Sequence, residues 1–301
     1  MRIGYTLGLG LALLPTAALG HAGAGWIGPN EVWHAWTLDP LVLVPMALGW
    51  WLYGRGMARE PRFRDSRAVA FAAGMALLAL GLVWPLDAMG ETLFSAHMAQ
   101  HMVLTVFAPP LLLLGRPAGP VLVALPIRLR RTMAIAARKL RRWIEPLLGP
   151  TTASLLHGAA VWAWHAPVAF DAALADEWVH RAEHASFFLT GLLFWAMVLR
   201  AVRARDRMAA PAAAGALLFT LMHSGLLGCL IAFAPEPLYA YGIRPTAWGI
   251  SPLTDQQLAG LVMWVPAGFA YIGAGVGLLA LWLNRMTPAE HHVPGGAFHK
   301  G

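Results

Sequence analysis

The sequence predicts an all-α protein, a polytopic membrane bundle of seven transmembrane helices that follows an N-terminal signal segment. Three observations predict this fold class. Hydrophobic residues make up 58% of the 301 residues. Charged residues make up only 12%, which is about half the share of a soluble domain. The apolar residues are also gathered into runs of about 20, the length that spans a bilayer as a helix.

Residues 1–20 have the pattern of a signal peptide. Arg2 supplies a positive start, residues 3–14 an apolar core, and Ala18-Leu19-Gly20 a small-residue cleavage pattern. We expect cleavage near Gly20, with an uncleaved signal anchor as the alternative. Either outcome places the residues that follow outside the cytoplasm.

Seven apolar segments after the signal qualify as spans. They lie near residues 40–54, 68–89, 93–114, 147–166, 182–201, 211–234 and 257–283. The first is short and contains Pro45. We assign residues 21–285 to this transmembrane domain and expect residues 286–301 to form a flexible cytoplasmic tail.

The charge pattern predicts the orientation. Almost all of the 22 lysine and arginine residues fall in the connections 55–67, 115–146 and 200–210 or after the last span. Basic connections stay in the cytoplasm, so the N-terminus is predicted outside and the C-terminus inside. The net charge of +7 is therefore attributed to the membrane face and not to nucleic acid. Residues 128–143 are predicted to form an amphipathic helix on anionic lipid headgroups, with a protein partner as the alternative.

The predicted orientation brings five histidines to the outer side of three spans. His97 and His101 begin the span 93–114, His180 and His184 begin the span 182–201, and His165 ends the span 147–166. Residues four apart share a helix face. Ionisable residues inside a membrane are costly and mark functional sites. The five histidines are therefore predicted to form one metal or haem site.

Further candidate ligands lie near these histidines or deeper in the membrane. They are His157, His223, Met98, Met102, Met263 and Asp87. Imidazole ligands suit copper, zinc or iron, and thioethers favour Cu(I). The nearby acids, Glu183 among them, are expected to orient the ligating rings as hydrogen-bond acceptors. The sequence contains no HExxH, Walker or GxSxG motif, and we expect no enzymatic activity.

Four segments along the chain form a distinctive set. The first is HMAQHMVLTVFAPPLLLLGRP at residues 97–117. The others are Trp164-His165-Ala166-Pro167 with 170–174, HRAEH at 180–184 with 191–195, and DQQLAGLVMWVP at 255–266. Together these segments resemble the CtaG-like cytochrome c oxidase assembly factors, although none of them is specific alone. The resemblance runs from about residue 30 to 285.

The resemblance implies a multi-pass protein of the bacterial inner membrane that matures haem-copper oxidases by handling copper. The family's histidines match His97, His101, His165, His180 and His184, with His223 a weaker match. The implied partners are cytochrome c oxidase subunits and a periplasmic copper chaperone, and the implied cargo is Cu(I). The alternative is a haem b-binding redox protein that acts with quinol, with His157 and His223 as the haem ligands.

Overall fold

The computed structural model describes residues 26–286, which form α-helices and short connections without any strand. The all-helical prediction is therefore confirmed for this part of the chain, and the predicted signal segment and tail lie outside it. The helices are α1 (Pro40–Arg59), α2 (Ser66–Leu82), α3 (Leu86–Gly90), α4 (Phe94–Met102), α5 (Ala108–Leu114), α6 (Ala118–Ala124), α7 (Ile127–Ile144), α8 (Pro150–Trp164), α9 (Pro167–Ala175), α10 (Glu177–Ala201), α11 (Ala209–Ala232) and α12 (Pro252–Met286).

Five of the seven predicted spans are long and apolar enough to cross a membrane. They are Ser66–Gly90, Phe94–Leu114, Glu177–Ala201, Ala209–Ala232 and Pro252–Met286. The other two predicted spans correspond to α1 and α8, which are also helical. Helix α8 has only 15 residues, fewer than the 20 or so that a span needs. Seven spans and their orientation therefore stay predictions.

The span Phe94–Leu114 is not one continuous α-helix, because a π-helical turn, Val103–Phe107, separates α4 from α5. The backbone carbonyl of Thr105 would receive an N–H from residue 109 in an α-helix and from residue 110 in a π-helix. Both positions are proline, which has no N–H. The indole N–H of Trp195 on α10 donates to this carbonyl instead, at 3.0 Å. Helix α10 thus completes the hydrogen bonding of the broken span.

The close approach of α10 at this turn depends on a glycine. A Cβ at Gly191 would lie 3.1 Å from the Thr105 carbonyl oxygen, and small residues at such crossings let backbones pack closely. The Thr105 hydroxyl also donates to the carbonyl of His101 at 2.6 Å. The contact between Gly191 and Thr105 therefore holds α10 beside the last turn of α4.

Two aspartates set the start of the helices that carry the paired histidines. Asp255, at the start of α12, accepts from the backbone N–H groups of Phe94 at 2.6 Å and Ser95 at 3.1 Å, and so caps α4 from another helix. Asp176 caps α10 by accepting from the N–H groups of residues 178 and 179. Such caps satisfy N–H groups that lack a partner within the helix. The first turns of α4 and α10 are thereby held in place at the same end of the bundle.

Helix α7 differs from the other long helices because it contains no buried residue. Its sequence is rich in arginine. Its apolar side chains are also exposed, among them Leu129, Met133, Leu140 and Trp143. An amphipathic helix of this composition suits a membrane surface. Its association with lipid stays a prediction.

We expect Gly260→Ala to destabilise the protein by about 1–3 kcal/mol, because the added methyl group overpacks the contact between α11 and α12. A Cβ at Gly260 would lie 2.5 Å from the Gly228 carbonyl oxygen and 2.6 Å from the Ala232 backbone nitrogen. The thermal unfolding midpoint in detergent measures the effect. Gly275→Ala is the matched control on α12, since nothing lies within 4 Å of its Cβ position. Equal midpoints for the two variants would contradict the packing described here.

Candidate metal centre

Helices α4 and α10 bring four histidines and one glutamate together at one end of the bundle. One ligand atom from each of His97, His180, Glu183 and His184 lies within 4.8 Å of the others. His101 adjoins this group, with its Nε2 3.6 Å from Oε1 of Glu183 and its ring centroid 5.4 Å from that of His184. We call these five residues the histidine–glutamate cluster.

Glu183 lies at the centre of the cluster and is completely buried. Its Oε2 lies 3.8 Å from Nε2 of His97 and 3.8 Å from Nδ1 of His180. The sequence predicts this carboxylate only as a hydrogen-bond acceptor that orients the ligating rings from outside the group. A signal for its inner position was present, because residues 180, 183 and 184 have the i, i+3, i+4 spacing of one helix face.

The protonation of His97 follows from its hydrogen bonds. Its Nδ1 lies 3.0 Å from the hydroxyl of Tyr241, and this hydroxyl lies 2.8 Å from the carbonyl oxygen of Gly90. A carbonyl only accepts, so Tyr241 donates to Gly90 and Nδ1–H of His97 donates to Tyr241. Burial raises the pKa of Tyr241 well above its usual value, so the hydroxyl stays protonated. Nε2 of neutral His97 therefore carries a lone pair, and it is this atom that lies near Glu183.

The sequence did not indicate Tyr241, which lies in the connection between α11 and α12. Its role depends on how that connection folds over α4, and no local spacing signals such a contact. The same connection contributes Tyr239, whose hydroxyl donates to the backbone carbonyl of His165 at 2.9 Å.

His165 lies beside the cluster, with its ring centroid 5.8 Å from that of His101. Its Nδ1 is 2.7 Å from the carbonyl oxygen of Val161, which makes Nδ1 the protonated nitrogen of a neutral ring. Its Nε2 lies 3.3 Å from Sδ of buried Met98. Neither of these atoms then carries a proton, so an imidazole lone pair and a thioether lone pair lie side by side.

Several buried polar atoms of the cluster have no hydrogen-bond partner among the described residues. They are Nε2 of His97, both ring nitrogens of His101, Nε2 of His184 and both carboxylate oxygens of Glu183. Each unpaired buried polar atom costs about 1–3 kcal/mol. Each neutral histidine offers one lone pair, and ligand atoms of His97, His180, Glu183 and His184 converge as a cation-binding site requires. The donor set therefore fits a metal ion.

The other predicted ligands lie outside the histidine–glutamate cluster. His157 contacts the Thr190 hydroxyl at 3.2 Å and stacks on Phe194. His223 accepts from the Trp162 indole at 3.3 Å. Both belong to a separate, deeper region around α8.

Asp87 and the remaining methionines also lie outside the cluster and contact other residues. Asp87 accepts hydrogen bonds from the Thr37 hydroxyl and from the Gln100 amide. These donors occupy its carboxylate, so it orients α4 and does not join the cluster. Met102 and Met263 are buried in the hydrophobic core.

The fold and the site together define a helical membrane protein with a buried candidate metal centre at one end of its bundle. Residues 47–285 match the model of the cytochrome c oxidase caa3 assembly factor family (Caa3_CtaG). The chain belongs to this family, and the resemblance found in the sequence is confirmed.

Similar proteins occur in mycobacteria. Uncharacterized proteins of Mycobacterium bovis and Mycobacterium tuberculosis are each 27% identical over 273 residues, which cover 85% of this chain and 40% of the relative. An uncharacterized protein of Mycobacterium leprae is 26% identical over 290 residues, or 88% of this chain and 42% of the relative. The chain thus spans less than half the length of these relatives. No solved structure matches the chain significantly.

We expect Glu183→Gln to stabilise the metal-free protein by about 1–3 kcal/mol at alkaline pH, where the carboxyl is ionised, because the amide N–H groups can donate to imidazole lone pairs that the carboxylate leaves unpaired. Chemical unfolding of metal-free protein in detergent measures this free energy. Glu60→Gln replaces a half-exposed carboxylate at the end of α1, and we expect no change. A less stable Glu183→Gln variant would show that the carboxylate is already well paired in the metal-free state.

Proposed function

We propose that this protein is a copper-binding assembly factor for haem-copper cytochrome c oxidase and has no catalytic activity of its own. It holds Cu(I) in the histidine–glutamate cluster and passes the ion to the oxidase. The observation that carries the proposal is the convergence of unpaired imidazole and carboxylate atoms on one buried point. The chain belongs to the oxidase assembly family, and we therefore propose the oxidase as the protein that receives the copper.

The charge of the cluster favours a monovalent ion. Glu183 is the one carboxylate in the group, so a bound Cu(I) ion and this carboxylate together carry no net charge. A divalent ion would leave one positive charge buried, which is costly in a medium of low dielectric constant. This charge balance favours Cu(I) over Cu(II) and Zn²⁺.

The neighbouring His165–Met98 pair supports the same choice. A thioether is a soft ligand that prefers Cu(I), and imidazole binds Cu(I) as well. The ring of His165 lies next to His101, so an ion could move from one set of ligands to the other by ligand exchange. We therefore expect each chain to bind one or two copper ions.

Exchange with other proteins would occur at His180. Its side chain is 27% exposed, whereas those of His97, His101 and Glu183 are 0–2% exposed. Tyr241 contacts His97 on the other side, so the cluster is accessible from the His180 side. A periplasmic copper chaperone and an oxidase subunit would both approach the His180 edge, on the outer face of a bacterial inner membrane.

We expect the double variant His97→Ala/His101→Ala to lose copper binding, because it removes two buried ligands from α4. Elemental analysis of Cu(I)-loaded protein after desalting measures the copper-to-protein ratio. His157→Ala/His223→Ala is the matched control, since it removes two histidines outside the cluster, and it should retain full stoichiometry.

Two results would contradict this proposal. One is an unchanged copper ratio in the His97→Ala/His101→Ala variant. The other is a Soret band in the absorption spectrum of the purified protein that disappears in the His157→Ala/His223→Ala variant, which would favour the haem alternative.

We expect Tyr241→Phe to weaken Cu(I) binding by about 10–100-fold, the usual effect of removing a partner that orients a ligating histidine. Competition with a colorimetric Cu(I) chelator measures the affinity. Tyr239→Phe is the control, because its hydroxyl contacts a backbone carbonyl and not an imidazole. Equal affinities for the two variants would mean that the hydrogen bond to His97 does not tune the site.

A further inference from the structure

A basic pocket lies at the opposite end of the bundle from the histidine–glutamate cluster. It forms where the connection between α10 and α11 meets the last turn of α12, and its volume is about 170 Å³. The lining residues are Arg205, Asp206, Arg207, Ala210, Trp282, Arg285 and Met286. The charge pattern predicts that this end of the helices lies at the cytoplasmic surface.

The strongest sign of a ligand is the indole of Trp282. Its Nε1 is buried and has no hydrogen-bond acceptor among the described residues. An unpaired buried donor is costly, and phenylalanine would fill a similar volume without that cost. A ligand that offers an acceptor oxygen would satisfy the indole N–H.

The charged residues of the pocket divide into two kinds. Arg285 donates to the backbone carbonyls of Val202 and Ala204 and so ties α12 to the connection. Asp206 accepts from the N–H of Met208 at 3.0 Å just before α11. Within the described part of the chain, the guanidinium groups of Arg205 and Arg207 have no hydrogen-bond or ion-pair partner. Their positive charge is thus available to a ligand, whereas Asp206 is already paired with backbone.

We propose that this pocket binds a phosphate group, with the arginines pairing its oxygens and Trp282 donating one further hydrogen bond. Guanidinium groups bind phosphate oxygens in bidentate geometry. Basic pockets between transmembrane helices on the cytoplasmic side bind anionic lipid headgroups, and tryptophan favours the same interfacial depth. The phosphate can therefore come from an anionic phospholipid or from free phosphate in the cytoplasm.

The test measures retention of phosphatidylglycerol by the full-length protein, with native mass spectrometry of protein released from nanodiscs. Isothermal titration with inorganic phosphate is run in parallel. We expect Trp282→Phe to weaken binding about fivefold, the effect of one lost hydrogen bond. We expect Arg205→Ala/Arg207→Ala to weaken it at least tenfold, or about 1.4 kcal/mol, since two charge-assisted contacts are lost.

The matched control is Arg128→Ala/Arg131→Ala, which removes the same charge from the exposed helix α7. It should retain the binding of the unmodified protein at the pocket. Binding of phosphatidylglycerol with no competition by inorganic phosphate identifies a lipid headgroup site, and tight binding of inorganic phosphate alone identifies a site for free phosphate. Both results support the proposal.

The proposal is overturned if the α7 control weakens binding as much as the pocket variants, because binding would then follow surface charge in general. It is also overturned if Trp282→Phe and Arg205→Ala/Arg207→Ala both bind like the unmodified protein. Unfolding midpoints show whether each variant retains the fold. If the Arg205→Ala/Arg207→Ala variant does not fold, the conservative Trp282→Phe variant still decides the test.

Discussion

The burial of one carboxylate among four imidazoles is the constraint on which the rest of the site depends. Glu183 is completely buried, and a buried charge is tolerated only with close compensation. The neighbouring neutral rings supply no fixed positive charge, so a proton or a metal cation is needed to neutralise the carboxylate. The caps on α4 and α10, the hydrogen bond from His97 to Tyr241 and the close contact at Gly191 all hold these groups in place.

Much of this arrangement could be predicted from the sequence, because its signals are local. Apolar runs predicted the helices. The histidine pairs at i and i+4 predicted one histidine-bearing face on α4 and one on α10, and these two faces meet. The inner position of Glu183 could have been predicted from the same spacing. The helix boundaries within the span Phe94–Leu114 could not, since the π turn arises from the two prolines together with a donor from a distant helix.

Long-range contacts account for the remaining differences. Tyr241 reaches His97 across 144 positions of the chain, and Asp255 caps α4 across 161. No periodicity encodes which connection folds over which helix. Histidines of one predicted span can also belong to different regions, as His157 and His165 show, because tertiary packing decides their neighbours. The sequence predicted which types of residue form the candidate site, and tertiary packing selected among them.

The Asp176 cap has a kinetic consequence. His180 lies in the first turn of α10, the turn that this carboxylate holds by accepting from two backbone N–H groups. Terminal turns open more readily than the middle of a helix. Fraying of this turn would swing His180 away while His97, His101 and Glu183 keep their positions. If the cluster holds an ion as proposed, the residence time of that ion would then depend on the strength of one helix cap as well as on the buried ligands.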